Sequence, residues 1–172
     1  MSFLCAFFYL CRMKKIICFG IIVAVFFCGC RRPEEYSNIP EIKFISFEKY
    51  QAADSTIGAI LTFYYQDGDG DLGLDETDIY PPFNFGSIYH YNFFCDYYEK
   101  QNGIYVKIET PFPFHARFPR LSNLSEESIS GELYIKMPYY FTDSHYDTTQ
   151  IKFYIVDRKL NQSNTEEAII IR

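Results

Sequence analysis

Residues 89–109, YHYNFFCDYYEKQNGIYVKIE, decide the class of fold. Successive side chains of a strand point to opposite faces, so a half-buried strand shows period-two alternation. Tyr89, Tyr91, Phe93, Cys95 and Tyr97 share one parity, and His90, Asn92, Asp96 and Lys100 share the other. Asn102-Gly103 follows, the pair that best tolerates the positive φ angles of a two-residue hairpin turn. The chain returns with Ile104, Val106 and Ile108 alternating against Tyr105, Lys107 and Glu109. Strand, tight turn and return strand are written in one stretch.

The same period recurs on both sides of this hairpin. Ile57, Ala59, Leu61, Phe63 and Tyr65 fall on one face of 57–65. In 129–137, Ile129, Gly131, Leu133, Ile135 and Met137 are inward, with Ser130, Glu132 and Lys136 outward. In 151–155, Ile151, Phe153 and Ile155 are inward, with Lys152 and Tyr154 outward. Weaker strands are expected at 42–47, 114–118 and 167–171, and no long segment carries a helical period. Composition agrees, because 16 Tyr and 18 Phe are residues that pack well on pleated surfaces. Seven or so short strands, each with one apolar face, predict an all-β fold of two antiparallel sheets packed face to face.

This layout resembles the immunoglobulin-like sandwiches of bacterial surface proteins. The closest local likeness is 151–171, IKFYIVDRKLNQSNTEEAIII: a strand ending in Asp157, a turn carrying Asn161, Ser163 and Asn164, and a final apolar strand. The Cys–Trp–Cys core of antibody domains is absent, so the likeness is one of architecture.

The amino terminus carries a different signal. Met13-Lys14-Lys15 is a short basic segment, followed by the apolar run IICFGIIVAVFF and then Cys28-Gly29-Cys30. An export signal has this order, and the run is too short for a spanning helix, which needs about 20 apolar residues. FCGC resembles the lipobox of bacterial lipoproteins, with Phe27 where leucine is more usual. The resemblance implies cleavage after Gly29 and a covalent lipid on Cys30. Residues 1–12, MSFLCAFFYLCR, put a second apolar stretch ahead of the basic segment, and the true start is expected at Met13. The competing reading is a two-part membrane hairpin turning at Arg12–Lys15, which ten apolar residues are too few to form. RRPEEYSNIPE (31–41) is polar and holds two prolines, as a tether would. The domain plan is therefore a signal peptide over 1–29, a lipidated tether over 30–41 and a β-sandwich over 42–172. Arg31 after the acceptor resembles outer-membrane sorting, and Glu34-Glu35 resembles the surface-export tags of Bacteroidetes-type lipoproteins.

Because Arg12, Lys14 and Lys15 precede Cys30 and no acid does, the chain beyond the cleavage point has 13 basic and 22 acidic residues, a net of −9. Phosphate backbones would repel such a surface, so no nucleic-acid partner is expected. Five of the six cysteines (Cys5, Cys11, Cys18, Cys28, Cys30) lie at the amino terminus. Cys95 then has no thiol to pair with, and the exported domain must stand on its core.

One segment carries ion chemistry: DGDGDLGLDETD, residues 67–78. Asp67, Asp69 and Asp71 alternate with glycines, and three carboxylates in five residues repel one another unless a cation neutralises them. Hard oxygen ligands at this spacing suit Ca²⁺, with Asp75 and Asp78 available to complete the shell. The spacing resembles a calcium loop. It departs from the helix–loop–helix form, because Leu72 stands where that motif has glycine, Asp78 replaces the bidentate glutamate, and a strand precedes it. Asp67 continues the inward parity of Ile57–Tyr65, and Asp157 continues that of Ile151–Ile155. If these are the second and sixth strands of the sandwich, Asp67 and Asp157 converge at one pole, with Asn161 or Asn164 nearby. The competing reading is a solvated acidic turn whose glycines only reverse the chain.

Other features carry less. His90, His115 and His145 share no ligand spacing, and Cys95 falls on a core face where a thiol acts as a small hydrophobe. No nucleophile elbow, phosphate-binding loop or zinc-protease helix is present. The ring-rich stretches 81–94 and 111–119 read as loop cover and core, or as surfaces for a sugar or protein partner. The whole chain resembles uncharacterised small Bacteroidetes lipoproteins that share a DGDGDLG segment after an aromatic strand. The expectation is a lipid-anchored cell-envelope lipoprotein, placed at the outer membrane, acting as a non-enzymatic binding or accessory subunit stabilised by calcium. The alternatives are a surface glycan-binding module and a minor hydrolase.

Overall fold

The computed structural model describes residues 36–51, 57–122, 127–138 and 144–171, all within one compact unit, Glu35–Arg172. The expected signal peptide, Cys30 and the expected tether up to residue 35 lie outside these described residues. Seven strands occur among them: β1 (Glu41–Gln51), β2 (Ile57–Asp67), β3 (Phe93–Gln101), β4 (Ile104–Lys107), β5 (Ile129–Pro138), β6 (Thr148–Ile155) and β7 (Glu166–Ile171). They form two antiparallel sheets, ordered β1-β2-β5 and β4-β3-β6-β7. The described residues are all-β, a sandwich of three strands against four.

The inward parities meet between the sheets. Ala59, Leu61 and Phe63 of β2 face Phe93 and Cys95 of β3 and Ile151, Phe153 and Ile155 of β6, and all are buried. Aromatic rings meet at the centre of this core. Phe63 lies 5.4 Å from Phe153 and 6.0 Å from Phe93, and Phe44 meets Phe153 edge-on at 6.5 Å. Offset and edge-on pairs at these distances add to burial through the ring quadrupole.

The hairpin at 89–109 differs from its expected form at the amino-terminal end. Strand β3 begins at Phe93, and Ile88–His90 is a 3-10 turn capped by the Ser87 hydroxyl. Asn92, on the parity expected to face solvent, is buried: its side chain accepts from the Phe118 amide at 2.8 Å and donates to the Phe118 carbonyl at 2.9 Å. Residues 114–118 form no strand. Ala116 makes a single antiparallel bridge with Phe93, and Pro111 and Pro113 have no N–H to give a ladder. The His115 imidazole takes the place of a ladder carbonyl, accepting the Cys95 amide at 3.2 Å.

Antiparallel pairing sets the poles. Glu41 lies opposite Gln66, and Asp67 opposite Ile129, so the start of β1, the end of β2 and the start of β5 share one end. Phe93 opposite Ile155 brings the start of β3 and the end of β6 there too. The connection 68–92 spans this pole between the sheets. Its Leu72 and Leu74 are buried, pinned by backbone bonds from Leu121 to Leu72 and from Leu74 to Phe118. Among the described residues, no helix is long and apolar enough to cross a membrane.

Candidate metal centre

Strand β2 carries Asp67 inward as its last residue, and the turn after β6 carries Asp157 inward across the mouth of the sandwich. Both are buried, as is Asp69. One carboxylate oxygen each from Asp67, Asp71 and Asp157 lies within 4.8 Å of the others. Oxygens that ligate one Ca²⁺ at about 2.4 Å lie no more than about 4.8 Å apart, so the spacing suits a single ion. The convergence expected of Asp67 and Asp157 from strand parity is what the topology builds.

Tight backbone turns hold the cluster. Asp67 Oδ2 accepts the amide of Asp71 at 2.9 Å, folding the acidic loop back on the strand end. Gly70 makes this possible with φ +65, and a Cβ there would stand 2.3 Å from the carbonyl oxygen of Glu127. Across the mouth, Asp157 accepts from the amide of Asn161 at 2.7 Å and from its side chain at 2.8 Å. Asn161 is therefore the orienting residue there. Asn164 instead reaches β1, bonding Ile42.

What the cluster leaves unsatisfied is more telling. Asp67 Oδ1, Asp69 Oδ1 and Asp71 Oδ1 are buried and accept no hydrogen bond. A buried carboxylate oxygen without a donor is costly, and three together are more so. Burial raises the Asp67 carboxyl to about 7, aided by the charges of Asp69 and Asp71. Burial, Asp157 and Asp69 raise Asp71 to about 6. Asp157 is also raised, chiefly by burial. Against these carboxylates stands one ammonium, Lys159, bonded to Asp69 and 3.9 Å from Asp71. The donor set is all oxygen and still deficient in positive charge, which is the chemistry of a hard divalent cation.

Asp75 and Asp78, adjacent in sequence to the acidic loop, are engaged elsewhere. Arg158 grips both oxygens of Asp78, one at 2.9 Å, and lies 3.4 Å from Asp75. Burial alone would raise Asp78, but the Arg158 fork outweighs it and holds the carboxyl below its usual value. Arg117 bonds the carbonyls of Asp75, Asp78 and His90, at 2.8, 3.1 and 3.0 Å. Three residues absent from the sequence-based site, Arg117, Arg158 and Lys159, therefore shape it. The Asp157-Arg158-Lys159 run, two cations placed directly after an inward acid, is the trace they leave in the sequence.

No protein-family model matches the chain, and no match is found among curated proteins or among solved structures.

Proposed function

We propose that this chain is a lipid-anchored cell-envelope lipoprotein, tethered at a bacterial outer membrane through Cys30, whose sandwich is a non-enzymatic binding or accessory subunit ordered by Ca²⁺. The three buried carboxylate oxygens without donors carry the ion part of this reading. The basic segment, short apolar run and FCGC of residues 13–30 support the anchor. A divalent ion supplies the missing positive charge and satisfies oxygens that no protein group reaches. Its role is structural: it ties the loop after β2 to the turn after β6 in a domain whose one described cysteine, Cys95, is free.

Thermal unfolding with Ca²⁺ and with a chelator tests the ion. At an ion concentration about 100 times Kd, binding adds about 2.7 kcal/mol of stability, so the melting temperature rises by several degrees. Asp69→Asn weakens that rise. A melting curve indifferent to both Ca²⁺ and chelator rejects the site.

A second reading, a surface glycan-binding module, is favoured by one feature. A cavity of about 430 Å³ is lined by Tyr97, Glu99, Ile108, Glu109, Phe112 and Phe114. Phe112 is 75% exposed, as a ring that stacks on a sugar face would be. Polysaccharide pull-down tests it, and a Phe112→Ala protein that retains any bound sugar equally well removes it.

A further inference from the structure

We propose that the acidic pole is the membrane-facing end of the domain and that the loop Ile79–Ile88 seats its apolar side chains in the headgroup region of the bilayer carrying the anchor. This rests on the reading of Cys30 as the lipid-bearing residue.

The loop presents large apolar groups to solvent in an unusual density. Ile79, Tyr80, Phe85 and Ile88 are 61%, 74%, 87% and 64% exposed. Single exposed hydrophobes are ordinary, but four within ten residues concentrate exposed apolar surface on one loop, the kind of display that marks an interaction surface. The display is held in place. Arg117 ties the carbonyls of Asp75 and Asp78 on one side of the loop to that of His90 on the other. Within it, Phe83 bonds back to Tyr80, Ser87 to Asn84, and His90 to Ser87. The apolar side chains thus stand on a hydrogen-bonded frame whose stems sit at the start of β3 and beside the turn after β6.

The path of the chain names the occupant. Glu41 pairs with Gln66 at the acidic pole, and the Gly68 amide donates to the Ser37 carbonyl at 2.8 Å. The tether therefore enters the domain beside the acidic loop, at the pole from which Ile79–Ile88 extends. Cys30 precedes Tyr36 by six residues, which span at most about 22 Å when fully extended. An acylated Cys30 keeps this pole within that distance of the lipid surface. The charge of the pole is met in part by its own cations, and Ca²⁺ held by Asp67, Asp71 and Asp157 in the proposed ion site offsets the remainder. Asp75 and Asp78 are paired with Arg158, and Asp69 with Lys159. Tyr80 among aliphatic and phenyl groups is a composition suited to a bilayer interface, where a ring is half apolar and half wet.

The chain contains no Trp, so Phe85→Trp introduces the sole indole. Ile104→Trp, 69% exposed beside the hairpin turn at the opposite pole, is the matched control. Both positions are at the surface, so neither substitution threatens the core. The full-length acylated protein of each variant is reconstituted into vesicles of phosphatidylethanolamine and phosphatidylglycerol, with and without lipids brominated near the top of the acyl chain. The expected result is blue-shifted emission from the Phe85→Trp protein, quenched severalfold more by brominated lipid than that of the Ile104→Trp protein. Equal quenching of the two, or none of either in vesicle-bound protein, overturns the orientation and leaves the loop as a contact for a protein partner. Failure of the anchor itself is read separately, as protein without fatty chains by mass spectrometry that does not float with vesicles.

Discussion

Asp67 is the residue on which the site turns. It ends a strand whose previous inward positions are hydrocarbon and aromatic, so its carboxylate sits where the sandwich would otherwise continue its core. Its folded carboxyl is raised to about 7 from 3.8, and that of Asp71 to about 6. A raised folded value means that the native state holds its protons more tightly than the unfolded chain does. The associated stability is fully present below 3.8 and is lost as pH rises through 6 and 7. In chelator, the melting temperature is expected to fall across that interval. The rise produced by Ca²⁺ is expected to be larger at pH 7.5 than at pH 5, because the ion needs the ionised carboxylates. Calorimetry in chelator and in Ca²⁺ at both pH values checks this. Asp67→Asn keeps the shape and the oxygen that accepts the Asp71 amide but removes a buried charge. It should melt higher than the parent in chelator at pH 7.5 and show little response to Ca²⁺; a lower melting point in chelator would contradict the charge-repulsion account.

Asn92 plays the opposite part, a buried polar residue fully satisfied. It holds both backbone groups of Phe118, and its own carbonyl accepts the Val156 amide at 3.0 Å. Removing the side chain orphans the buried Phe118 amide and leaves the Phe118 carbonyl with the Leu74 amide alone, so Asn92→Ala should cost about 1–3 kcal/mol in denaturant unfolding. Its burial was not legible from alternation. The parity is right for a strand extending to Tyr89, but the strand starts at Phe93, and what faces Asn92 is a segment more than twenty residues further on.

At the scale of elements, the edge of β1 shows how an open sheet margin is closed without another strand. Asn164 accepts the Ile42 amide at 2.8 Å and donates to the Ile42 carbonyl at 2.9 Å, while Glu166 accepts the Phe44 amide at 3.0 Å. These side chains from the approach to β7 give β1 the bonds that a further strand would give, and so block edge-to-edge pairing. Asn164→Ala should cost about 1–2 kcal/mol and speed hydrogen exchange at the Ile42 amide, leaving that of Ile151 in the paired interior of the sheet unchanged. The loop after β2 follows the same logic. Its glycines and acids were legible as a tight acidic turn, but Asp75 and Asp78 looked like ligands only because they lie close in sequence. Arg158, eighty residues beyond Asp78, takes both oxygens of that carboxylate instead.

For the molecule as a whole, the sandwich leans on its ring-filled core. Burial and the neighbouring Asp96 push the Cys95 thiol far above its usual range, so it behaves as a small core hydrophobe rather than a nucleophile. The proposed anchor makes a separate prediction. Cys30→Ser should accumulate as an unprocessed precursor without fatty chains, seen by mass spectrometry of the membrane fraction, and normal maturation of that variant would remove the anchor.

Strand parity, the Asn-Gly turn and the aromatic load sufficed for the all-β class, the inward residues of the main strands and the meeting of Asp67 with Asp157. Each of these follows from a period of two and from turn chemistry, which act between near neighbours in the chain. Tertiary structure alone decided that Asn92 is buried, that Arg158 claims Asp78, that Lys159 stands against Asp69, and that the segment leading into β1 runs beside the acidic loop. Those outcomes depend on which pole each strand end reaches, and pole assignment is a property of how the two sheets close over one core.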